Sequence, residues 1–160
     1  MTKAFKPFDV SLVIDRIISI LSGDAAVGIA LGLNGFSGQI VNGHFGELPP
    51  PPNAAGWNRI VVMESRQMVE KSQRFGGHNY FDFVIRADVK CPKDFAGFDP
   101  SKVLFAIQIA CWDVLEASCL ALPNTMRQAS PFERRRFGSP IYDDGFYSLS
   151  WSYGLMIDTI

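Results

Sequence analysis

Histidine is scarce, cysteine is sparse and unpatterned, and no apolar run is long enough to cross a bilayer; each shortage removes a class of function. The two histidines, His44 and His78, lie in GHFG and GGHNY with no HExxH or HxH spacing, so a zinc site would have to be assembled from distant residues. The three cysteines, Cys91, Cys111 and Cys119, are odd in number and form no CxxC pair. That speaks against a disulfide framework and a zinc site, and the thiols are expected to be reduced and cytosolic. Cys111 and Cys119 stand about two helical turns apart, so both are expected to face one core. No segment nears the roughly 20 apolar residues of a membrane helix, and the start, MTKAFKPFDV, lacks the apolar stretch and cleavage site of a signal peptide. The expectation is a chain that stays where it is made and touches no membrane. A net charge of −1 with a pI near 6.1 argues against a tight grip on phosphate backbones, which takes several Lys and Arg on one face.

What is present is apolar mass. Hydrophobic residues make up 48% of the 160-residue chain against 19% charged, and Phe alone occurs 13 times, which suits one globular domain over residues 1–160. A fold of this size buries about 70% of the surface its unfolded chain exposes.

Val10, Val13, Ile14, Ile17, Ile18 and Leu21 keep the three-and-four spacing of one helical face, predicting an amphipathic helix from Asp9 to Leu21. Asp9 is its expected cap, Phe8 and Val13 its hydrophobic staple, and Gly23 its stop. A short helix over Asp24 to Leu31 is weakened by Gly28, by about 1 kcal/mol relative to Ala. Residues 23–57 form a Gly/Pro-rich connection ending in Pro49 to Pro52, with Gln39 to Val41 able to pair at a sheet edge. Arg59 to Glu64 is an expected strand, Ser65 to Gly77 a long polar hairpin tip, and Tyr80 to Cys91 an alternating strand. Asp99-Pro100-Ser101 opens a second long helix with Val103, Leu104, Ile107, Ala110, Cys111, Val114, Leu115 and Ser118 on its buried stripe, and Pro123 bars it from passing Leu122. A basic linker is expected over 124–139. Asp143-Asp144-Gly145 is a turn, with a possible strand before it and a strong alternating strand, Phe146 to Ile157, after it. The expected fold is α+β: a mainly antiparallel sheet of about four strands with two helices packed on one face.

Little in this pattern supports catalysis, and the chain is expected to be no enzyme. The glycines Gly28, Gly32, Gly35 and Gly38 lack the preceding strand and the Lys-Ser or Lys-Thr pair of a phosphate loop, so a flexible loop is the better account. Asp82 and Asp88, on one strand face, would lie roughly 20 Å apart, too far for paired acid–base work; they are expected to be solubility charges. The run Phe132, Arg134, Arg135, Arg136, Phe137 has the flavour of a single-strand nucleic-acid platform. A docking loop for an acidic neighbouring subunit accounts for it better. No metal, cofactor or catalytic residue is expected, and the contact residues proposed on charge and loop position are Arg66, Lys71, Arg74, Arg134, Arg135 and Arg136.

The order of elements, with YFDFVIRADVKC, DPSKVLFAIQIACWDVLEASCL and DDGFYSLSWSYGLMID at its centre, resembles the tail terminator and tail-completion proteins of long-tailed bacteriophages over Asp9 to Asp158. The resemblance implies a virion structural protein of the tail or neck, made in the host cytoplasm. It implies a ring, commonly a hexamer of the chain with itself, that caps the tail tube protein, stops tube polymerisation and meets the head–tail connector or neck protein. DNA would only pass through its channel. Another neck or head–tail completion subunit, and a small ligand-binding or enzymatic α+β domain, remain as alternatives.

Overall fold

A computed structural model describes residues 10–43, 48–64, 78–92, 95–143 and 145–159. The first helix, α1 (Val10–Gly23), buries Val13, Ile14, Ile17 and Leu21 as its spacing dictates. Its proposed cap and staple, Asp9 and Phe8, lie outside the described residues. Next comes α2 (Ala25–Leu31), capped by Asp24, whose carboxylate accepts from the Val27 amide at 3.0 Å. The third helix, α3 (Pro100–Glu116), has Asp99 at its cap accepting from the Ser101 and Lys102 amides, and Pro100 in its first turn. It stops at Glu116, short of Leu122, because Ser118 N–H turns back to the Leu115 carbonyl. Cys119 therefore lies beyond the helix and is exposed, while Cys111 is fully buried. The two cysteines do not share a core face.

Among the described residues one sheet carries seven strands: β1 (Ser37–Gly43), β2 (Trp57–Glu64), β3 (His78–Lys90), β4 (Met126–Gln128), β5 (Glu133–Phe137), β6 (Ile141–Asp143) and β7 (Phe146–Thr159). The order is β1-β2-β3-β7, with β4, β5 and β6 in succession along the far edge of β7. Every pairing is antiparallel except β1 with β2. The sheet thus has more strands than the four expected. The difference lies at its edges, where the connection supplies β1 and the expected basic linker supplies β4 and β5. His78 is the first residue of β3. The polar tip 65–77 lies outside the described residues.

The three helices pack on one face of this sheet, not two. Ile60, Val62, Phe81, Phe83, Ile85, Ala87, Val89, Leu149, Trp151, Tyr153, Leu155 and Ile157 meet the helical stripes in a single core. Cross-strand pairs such as Ile85 with Trp151 and Ala87 with Leu149 keep these side chains in register. Gly145 takes φ +85° at the β6–β7 turn, a conformation L side chains resist.

Burial sorts the thiols by reactivity. Desolvation, with the negative Asp24 nearby, pushes the Cys111 thiol up to about 12, and burial also raises Cys91. Since the thiolate is the reactive species, a disulfide reagent at pH 8 is expected to label Cys119 quickly, Cys91 more slowly, and Cys111 only after unfolding. Rapid release of three equivalents from native protein would contradict this packing.

Candidate assembly surface

The proposed arginine cluster turns out to be an edge strand split by a bulge. Register runs Glu133 to Gly154 and Arg134 to Tyr153, then skips to Arg136 with Ser152 and Phe137 with Trp151, leaving Arg135 as the extra residue. Strand alternation sends Arg134 and Arg135 to opposite sides, and the bulge shifts the register so that Arg136 pairs with Ser152 instead of continuing the Arg134 face. Arg134 turns to the helical side, where its Nη2 donates to Glu116 Oε2 at 2.9 Å and its guanidinium lies 4.2 Å from the Trp112 ring centre. The Glu116 bond holds its pKa above the ordinary arginine value. Arg135 turns to the other side and lies across Gly154, near Asp82 at 3.8 Å and Glu133 at 3.4 Å. A side chain at 154 would collide with the Arg135 Nε, so the glycine makes room for the guanidinium. Arg136 is exposed and has no ion pair among the described residues. Two of the three arginines are therefore neutralised within the chain. Arg66, Lys71 and Arg74 lie outside the described residues.

Phe132, beside this strand, is buried edge-on against Phe83 at 5.8 Å and close to Tyr153 at 6.1 Å, so it is core and offers no base a stacking surface. Phe137 is exposed and meets Trp112 edge-on at 5.4 Å. Trp112 continues a helical stripe with Ile109 and Phe105, both exposed. Ile29 of α2, and Ile141 and Tyr142 of β6, add further exposed apolar side chains.

On the sheet face away from the helices, Arg59 and Asp88 are both fully buried. Asp88 accepts from Arg59 Nε at 2.8 Å and from Arg86 Nε at 2.6 Å. Arg59 Nη1 also donates to the Pro49 and Pro50 carbonyls at 3.1 and 3.2 Å. Its guanidinium lies over the Trp57 ring, and both arginines approach Phe146. This clip fastens the proline segment to the sheet, supplying donors to carbonyls in a segment whose prolines offer no N–H of their own. Asp88 is thus no solubility charge. Asp82, 31% exposed, keeps a surface role. The clip was hidden in the sequence because its partners stand 29 residues apart; the one signal was Arg59 inside the apolar run WNRIVVME.

Among the described residues no group of His, Cys, Asp and Glu could hold a metal ion, and no helix is long and apolar enough to cross a membrane. What these elements build is a mixed α/β domain of one mostly antiparallel sheet under three helices. No protein-family model and no curated protein matches the chain. Among solved structures, a chain of the virion of a native gene transfer agent particle is similar in fold, with a TM-score of 0.57 at 17% identity, covering 94% of this chain and 99% of that one. A second solved chain gives a TM-score of 0.46 at 13% identity, covering 96% and 97%.

Proposed function

We propose that this protein is a structural component of a phage-like virion, and within it a tail terminator: a ring of copies that caps the tail tube, halts its polymerisation and joins it to the head connector. The observation that carries the virion reading is the end-to-end correspondence with a chain of a gene transfer agent virion, in which almost the whole of each chain aligns. The terminator assignment rests on the element order that resembles the tail terminator family. The exposed apolar side chains Phe105, Ile109 and Phe137, grouped around the half-buried Trp112, support an assembling role, since apolar and aromatic side chains are what buried subunit contacts use.

The intrachain pairing of Arg134 and Arg135 narrows the charge test to one residue. Arg136→Glu is expected to leave unfolding unchanged within about 0.5 kcal/mol while weakening capping of tail tubes, whereas Arg134→Glu sets two carboxylates side by side at position 116 and loosens β5 itself. Tube capping is scored by the fraction of tube ends carrying a ring in electron micrographs. Undiminished capping by Arg136→Glu would assign this guanidinium to solvent.

A further inference from the structure

We propose that β1 and β6 are the two halves of one subunit contact, in which the outer edge of β1 takes β6 of the next copy beside it as an antiparallel strand. The head-to-tail sense of this contact rests on the ring reading above. The two edges of the sheet differ in how they resist pairing. Along β5 stand Glu133, Arg134, Arg135 and Arg136, a bulge, and Pro131 and Pro140 on either flank. Charges, bulges and prolines are the devices that keep a free edge from recruiting strands. The other edge has none of them. β1 reads SGQIVNG, without charge or proline, and its register with β2 runs unbroken from Ser37 with Trp57 to Gly43 with Met63. Among the described residues no strand lies on its far side, and Ser37, Gly38 and Gln39 are exposed. An uncharged, regular edge of this length is a template for another strand unless something covers it.

The chain itself carries a fitting partner. β6 lies beyond the bulge and the arginines, and its Ile141 and Tyr142 are 55% and 63% exposed. Among the described residues it pairs with β7 on one side only. Strand directions also agree: β1 and β2 run with β7, while β3 and β6 run against it. A second copy moved along the sheet therefore brings its β6 antiparallel to β1, without being turned over. β1 and β6 stand at opposite ends of a sheet five strands wide, about 19 Å apart, as a head-to-tail contact requires. Pairing β1 with β1 across a two-fold axis would join two copies and stop, leaving Ile141 and Tyr142 in water. The head-to-tail contact covers both surfaces at once and repeats from copy to copy.

Disulfide trapping separates these arrangements. In a Cys91→Ser, Cys119→Ser background, Gln39→Cys and Val41→Cys are each combined with Ile141→Cys and Tyr142→Cys, oxidised under mild conditions, and run on non-reducing gels, with circular dichroism confirming the fold. The expected result is a ladder extending beyond two copies for at least one double variant, with every single variant remaining monomeric on the gel. A dimer from Gln39→Cys or Val41→Cys alone would overturn the head-to-tail pairing in favour of a two-fold one. Rings seen by light scattering with no cross-linked ladder would overturn the edge contact and leave the ring reading standing. A protein that forms no assembly and no ladder would overturn both.

Discussion

Asp88→Ala is expected to cost 3 to 5 kcal/mol of stability, roughly a 10 °C fall in melting temperature for a domain of this size. The substitution removes the single carboxylate between two guanidinium groups, Arg59 and Arg86, which lie 1% and 16% exposed. Breaking a buried pair leaves an uncompensated charge that water reaches poorly, so the loss exceeds what the pair itself contributes. The same truncation at Asp82 has little effect, within about 1 kcal/mol, because its contact with Arg135 is long and partly solvated. Replacing Arg59 and Asp88 together by Met and Leu should recover much of the loss of Asp88→Ala, although the proline segment would then lose the donor that binds the Pro49 and Pro50 carbonyls. Urea unfolding of the two alanine variants decides the matter: equal, small losses would mean that the clip is open to solvent.

Trp151→Ala is expected to cost on the order of 3 to 5 kcal/mol, with Ser150→Ala within about 0.5 kcal/mol of the parent. Trp151 is 2% exposed in the middle of β7 and faces Ile85 across the sheet, between the neighbouring Leu149 and Tyr153. Removing the indole leaves a void that the sheet cannot readily close, because β3 and β7 are each held by pairing on both sides. Ser150 points to the opposite face and uses its backbone carbonyl, not its hydroxyl, to accept from the Gly138 amide at 2.8 Å. Nearly equal effects of the two substitutions would contradict the register of β7 against β3.

These two sites mark how far the sequence could be read. Elements with an internal period were legible: α1 and α3 by their apolar stripes and the Asp99-Pro100 start, β3 and β7 by alternation over a dozen residues. In each case local pattern and tertiary burial favour the same answer. The strands that were not legible lack a period. β5 reads ERRRF, which contains no apolar alternation because it lies at an edge with every residue exposed. It is a strand only because β7 offers it hydrogen bonds. β2, by contrast, was legible as a strand from its apolar run, because it buries both faces for most of its length, but nothing within reach in the chain announces Asp88 as the partner of Arg59. The candidate contact residues were legible as a cluster of charge but not as individuals, since the strand that sets Arg134 and Arg135 on opposite faces, and the bulge that shifts Arg136, depend on register with β7. Cys119 was misassigned to the core because helical spacing was extended past Glu116, where the chain leaves the helix.

The most direct test of the assembly account is electron microscopy of tail tubes polymerised from the tube protein with and without this protein. The account predicts that its addition arrests elongation and leaves a ring at one end of each tube. Tubes of unchanged length with bare ends, at protein concentrations well above that of tube ends, would contradict it.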